Sequence, residues 1–123
     1  MDRMDVFGYR WIEGFRPIIE SYLVAELKKD RAHVSDIPQV MKYVDWTCGE
    51  YAHGDYSLIK GFLIAHDFDE NIVQNEESER DYVVGYRPSI TKKWNCLRFV
   101  RYYVTESGYI QFSLVGDEVT AQS

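Results

Sequence analysis

Tyr22-Leu23-Val24-Ala25-Glu26-Leu27-Lys28-Lys29 is an apolar run that ends in Glu-x-Lys. It reads as a β-strand. Residues two apart on a strand point to the same face, so Glu26 and Lys28 project together while Leu27 packs behind them. A carboxylate and an ammonium fixed side by side at a strand end can hold a metal ion and a water. Such a site needs a second acid, and Asp5 is the candidate.

The segments around this strand make a mixed α/β pattern. Met4 to Trp11 supplies β-formers in Val6, Phe7, Tyr9 and Trp11, and Gly14 with Pro17 marks a turn after it. Ile18 to Lys28 then returns as the second strand of an antiparallel hairpin. Ser35-Asp36-Ile37-Pro38 is a helix start, with capping side chains ahead of a first-turn proline. Ile37, Val40, Met41, Val44 and Cys48 recur at helical spacing as one buried stripe, and Gly49 and Gly54 close the helix and its loop. Leu58 to Ala65 is nearly continuously apolar, which predicts a central strand covered on both faces. Strand, helix and strand form a βαβ unit with a right-handed crossover. Farther on, Asp69 to about Asn75 reads as a short helix and Tyr82 to Tyr86 as a short strand. Leu97 to Thr105 and Tyr109 to Val115 form a hairpin turning at Ser107-Gly108.

A chain of 123 residues supports one domain with one core. No apolar run approaches the ~20 residues of a membrane span, and the first residues lack the pattern of a signal peptide. Cys48 and Cys96 have no Cys-x-x-Cys spacing and read as reduced thiols of a cytoplasmic protein. The net charge of −6 argues against indiscriminate nucleic-acid binding. Charge is unevenly placed, however. Asp67 to Asp81 is dominated by acids, whereas Arg87 to Arg101 carries Arg87, Lys92, Lys93, Arg98 and Arg101 and no acid. Within it, bases alternate with aromatics, a pattern that suits stacking on unpaired bases and equally suits a strand with one buried face. His33, His53 and His66 show no zinc-ligand spacing, and no Gly-rich phosphate loop or nucleophile elbow is present.

Asp5 on one strand, Glu26-Leu27-Lys28 on its neighbour, Gln39 and Tyr43 one helical turn apart, and then Gly61-Phe62-Leu63-Ile64-Ala65 follow in order. From roughly Met4 to Asp67 this series resembles the PD-(D/E)XK nuclease superfamily, in the branch with a Gln-x-x-x-Tyr helix that includes RecB-type and archaeal mismatch endonucleases. Met4 stands where that family usually has proline. The resemblance implies a restriction-endonuclease-like core: a mixed β-sheet with flanking helices. The family's usual N-terminal helix has no counterpart here. The chain is then either a fragment of a longer protein or completed from elsewhere.

The resemblance further implies a Mg²⁺-dependent endonuclease acting on DNA, in repair or in defence against foreign DNA, with Mn²⁺ able to substitute. Asp5, Glu26 and the main-chain carbonyl of Leu27 would hold the ion, and Lys28 would stand beside the attacking water. Gln39 and Tyr43 would share a stripe facing the site, away from the buried one. Lys29, Arg31 and Lys42 would meet phosphates, with Lys92 and Lys93 as further nucleic-acid contacts. Many nucleases of this fold pair, so a homodimer is a natural partner state. The alternative is a nuclease-like module that no longer cleaves and serves DNA binding or protein interaction.

Overall fold

The computed structural model describes residues 6–11, 19–74, 76–95 and 97–116. Its centre is the predicted hairpin and crossover. Strands β1 (Val6–Trp11) and β2 (Ile19–Leu27) pair antiparallel, from Val6 opposite Ala25 to Trp11 opposite Ile19. A two-residue strand β3 (Arg31–Ala32) and a 3₁₀ turn (Val34–Asp36) lead into helix α1 (Ile37–Glu50), and the chain returns as β4 (Ile59–Ala65), parallel to β2. The short β5 (Asp67–Phe68) pairs with β3. An antiparallel hairpin of β6 (Arg80–Val84) and β7 (Ile90–Trp94) precedes β8 (Leu97–Val104) and β9 (Ile110–Leu114). The main sheet is mixed and five-stranded, in the order β1-β2-β4-β8-β9. The fold is thus the mixed α/β arrangement that the sequence predicts. The β8–β9 turn places Gly108 at φ +87°, a region that favours glycine.

Helix α1 lies on one face of this sheet. Its predicted stripe is buried throughout, against Val24 of β2, Ile59 and Leu63 of β4, and Leu97 and Phe99 of β8. Gly61 permits this close approach: a Cβ there would stand 3.2 Å from Leu97 and 3.3 Å from Val44. Trp94, fully buried, donates its indole N–H to the Ile59 carbonyl at 3.0 Å and anchors the β6–β7 hairpin to the start of β4. Arg80 and Tyr56 complete that anchor. Both bond to the Asp45 carboxylate of α1, Arg80 through Nε at 2.9 Å and Tyr56 through its hydroxyl at 2.8 Å.

The other face of the sheet is covered far less, which corrects the expectation of a strand enclosed on both sides. On β4, Ile59, Gly61, Leu63 and Ala65 are buried, while Phe62 and Ile64 are only half-buried. Those two line an open apolar trough of about 820 Å³ with Leu23, Leu27, Ile110 and Phe112. Three local readings also change. Gly49 lies inside α1, which ends at Glu50, and the stretch read as a helix from Asp69 holds a 3₁₀ turn at Ile72–Gln74. Strand β7 occupies a stretch whose lysines read as a basic patch. No helix among the described residues is long and apolar enough to cross a membrane.

Candidate functional site

Strand β2 delivers Glu26 and Lys28 as the Glu-x-Lys spacing predicts. Its last ladder pair is Leu27 with Ile64, and the Lys28 amide extends the pairing by donating to the Ile64 carbonyl at 2.8 Å. Val24 on the same strand is in the core, so period-two alternation turns Glu26 and Lys28 toward the α1 side. Glu26 is only 8% exposed. The Lys28 ammonium stands 3.7 Å from its Oε1. Leu27, read as packing behind the pair, is instead 48% exposed and faces the open trough. The reason is the one-sided cover of the sheet: α1 buries the Val24 face and leaves the Leu27 face open.

A second carboxylate meets this pair from the helix side. Asp36, at the start of α1, places Oδ1 3.3 Å from the Lys28 ammonium. Its Oδ2 accepts the His33 amide at 2.8 Å, and its side chain makes no cap bond to α1. Burial works to lower the pKa of Lys28, but Asp36 and, after it, Glu26 outweigh that effect and raise it. The lysine therefore remains an ammonium at neutral pH and is unsuited to act as a base. Sequence reasoning treated Asp36 only as a cap. The one signal available was its place beside the first-turn proline, and spacing does not reveal that the crossover folds it back onto Lys28.

The remaining candidates disperse. Asp5 lies outside the described residues, as does Cys96. Gln39 donates to the Tyr43 hydroxyl at 2.5 Å, but Tyr43 is 1% exposed and part of the core. The buried face of α1 is wider than the predicted stripe: Tyr43 and Thr47 join it, so Tyr43 does not stand on a separate face. Lys29 is exposed, and its carbonyl accepts the Tyr102 hydroxyl at 2.6 Å. Arg31 is committed to two acids, Asp69 at 3.0 Å and Asp67 at 2.8 Å. Asp69 in turn accepts the Val34 amide and lies 3.2 Å from the His33 ring, which ties β5 to the segment between β2 and α1. Lys42 lines a surface hollow with Pro38, Asp45, Glu77 and Arg80, and its carboxylate neighbours there are Asp45 and Glu77 rather than Glu26. Lys92 and Lys93 belong to β7, which is anchored at Ile59, whereas Glu26 pairs with Leu63 at the other end of β4. Four strand residues separate the two levels, ~13 Å along the sheet. The structure does not bring these two lysines to Glu26.

Glu26 and the Leu27 carbonyl are hard oxygen donors of the type that suits Mg²⁺. Among the described residues, no three His, Cys, Asp or Glu side chains converge as a metal site. A complete ligand set would need a further donor from outside the described residues, where Asp5 is the sequence's candidate. Cys48 is a free, buried thiol whose pKa is raised chiefly by burial, so it is no candidate nucleophile.

No family model and no curated protein matches the chain. Among solved structures, the EndoMS-dsDNA2 complex is similar over part of the fold, at 23% identity and a TM-score of 0.38; the match covers 55% of this chain and 31% of that one.

Proposed function

We propose that this domain is a metal-dependent nuclease that hydrolyses phosphodiester bonds in DNA. One observation carries the reading: a buried carboxylate, Glu26, and a partly exposed ammonium, Lys28, sit on one face at the end of a central strand, 3.7 Å apart. An ordinary surface ion pair contributes ~0 to 1 kcal/mol and does not call for a buried acid. Glu26, Asp5 and the Leu27 carbonyl would hold Mg²⁺ or Mn²⁺. The ion, when bound, would supply an activated water and neutralise charge on the phosphoryl oxygens. Lys28 keeps its proton and orients a water or a phosphoryl oxygen through its N–H groups, countering negative charge as it builds. Removing one such preorganised charge costs on the order of 3 kcal/mol of barrier, ~100-fold in rate.

The test is calorimetric titration of Mn²⁺ into the chain and into Glu26→Ala and Asp5→Ala, followed by plasmid cleavage with Mg²⁺. Binding that disappears in both variants, with cleavage that falls ~100-fold in Lys28→Ala, supports the assignment. Absence of binding in the unmodified chain refutes it.

A second reading, a non-cleaving module for DNA or protein binding, draws on the open apolar trough beside Leu27 and the net charge of −6. Retained DNA or partner binding without metal binding would select it.

A further inference from the structure

We propose that Asp36 is a positioning residue for Lys28, fixing from the helix the ammonium that the strand alone would leave free to swing. The inference rests on the nuclease reading of this site and adds to it a residue on a different structural element.

The Lys28 side chain rises from the end of β2 on four rotatable bonds, and confining such a chain costs considerable rotamer entropy. Glu26 cannot fix it alone. The two residues leave the same strand two positions apart, and the 3.7 Å separation is that of an ion pair rather than a short hydrogen bond. Asp36 adds a second carboxylate at 3.3 Å, so the ammonium meets acids from two separate elements.

Asp36 is itself held. Its Oδ2 takes the His33 amide at 2.8 Å, which orients Oδ1 toward the lysine. The segment carrying His33 is clamped in turn, since Asp69 receives the Val34 amide at 2.9 Å and Arg31 at 3.0 Å. Asp36 caps the 3₁₀ turn through the His33 amide but makes no cap bond to α1, so one carboxylate oxygen serves the turn and the other is left for the lysine. The cap bond holds Oδ2, and with Oδ2 so fixed, Oδ1 stands 3.3 Å from the Lys28 ammonium. Holding a catalytic charge in its working position removes a reorganisation cost at the moment of reaction, and a displacement of about 1 Å can cost ~100-fold in rate.

The experiment uses Asp36→Asn, which keeps an oxygen for the His33 amide and loses the charge, together with Lys28→Met and the double variant. Three quantities are read: Mn²⁺ binding by calorimetry, kcat and KM for plasmid nicking, and the urea midpoint. If Asp36 acts through Lys28, Asp36→Asn binds Mn²⁺ within about threefold of the unmodified chain and loses kcat ~10 to 100-fold with KM little changed. Adding Asp36→Asn to Lys28→Met then lowers kcat no further, and the stability losses of the two single variants overlap rather than add. Asp36→Glu, which restores the charge on a longer arm, recovers part of kcat.

Loss of Mn²⁺ binding in Asp36→Asn would overturn the proposal by making Asp36 a metal ligand. Strictly additive effects on kcat and stability would overturn it by showing that Asp36 does not act on Lys28. A chain that neither binds Mn²⁺ nor nicks DNA would refute the nuclease reading. The stability cycle would then still decide the anchor: overlap of the two losses upholds a fixed Lys28, and additivity removes it.

Discussion

Gly61→Ala is the substitution whose sign the packing decides most directly. The added Cβ would stand 3.2 Å from Leu97 Cδ1 and 3.3 Å from Val44 Cγ2, with Trp94 Cη2 at 3.6 Å. The first two are tighter than ordinary van der Waals contact, so both neighbours must give by a few tenths of an ångström. Neither can do so easily. Val44 is fully buried on α1 with a stiff β-branched side chain, and Leu97 is buried beside it. Overpacking of this kind costs about 1–3 kcal/mol. Replacing glycine also stiffens the unfolded chain, which offsets about 0.5–1 kcal/mol. The net expectation is a destabilisation of about 1 kcal/mol. Gly49→Ala provides the opposite case: the residue is helical and nothing lies within 4 Å of its would-be Cβ. Helix propensity alone should stabilise that variant by up to about 1 kcal/mol. Urea midpoints at constant m-value measure both. A Gly61→Ala protein stabilised as much as Gly49→Ala would refute the claim that α1 seats directly on β4 through this glycine. The functional stake is that this seating sets how far Asp36, at the start of α1, stands from Lys28.

Three further outcomes follow from named contacts. Trp94→Phe removes the indole donor to the Ile59 carbonyl and leaves a void, and should cost about 2–3 kcal/mol in chemical denaturation; a loss below about 0.5 kcal/mol would contradict the anchoring of the β6–β7 hairpin. The Tyr56 pKa is pushed up to about 12 by burial and then by its bond to Asp45, so between pH 10 and 12 the native state holds a proton that the unfolded chain releases. Stability should fall as pH rises through that window, and Tyr56→Phe, at a cost of about 1 kcal/mol at neutral pH, should flatten the fall in urea midpoints; an unchanged slope would show that Tyr56 does not carry it. Asp69 has its pKa lowered by the Val34 amide first and by Arg31 next, so its contribution is present above the usual carboxylate value of 3.8 and lost as pH falls through the depressed one. Asp69→Asn should be less stable at neutral pH and lose less on acidification, and parallel acid-unfolding curves for the two proteins would rule this out.

The elements that were legible in the sequence are those whose partners are set by period alone. Strand β2 and its Glu-x-Lys end, the Ile37-Val40-Met41-Val44-Cys48 stripe, the apolar β4 and the β8–β9 hairpin each announce themselves through alternation, helical spacing or turn chemistry. Strand β7 does not. Its exposed Thr91, Lys92 and Lys93 show no alternation, and only Trp94 at its end is buried, so it is held by pairing with β6 and one anchor rather than by an apolar face. Helical spacing picks out one stripe and leaves Tyr43 off it, whereas the buried face of α1 is wide enough to take in Tyr43 and Thr47. The β3–β5 pair spans two residues on each side, too few for any pattern.

The same distinction accounts for the site. Glu26 and Lys28 were legible because one strand carries both and their spacing fixes their common face. Asp36 was not, because its partner lies across a turn whose path is set by Asp69, Arg31 and the His33 amide. Spacing in the chain reports only charges borne by a single element, while a charge held from two elements is defined by the crossover between them. Lys28 belongs to the second class. Its carboxylate neighbours come from β2 and from the 3₁₀ turn that leads into α1, so its position depends on how that turn and helix seat on the sheet. A change at Gly61, whose added Cβ would meet only apolar side chains, should therefore reach the ammonium through the seat of α1, and the chemistry of this site cannot be separated from the core that positions it.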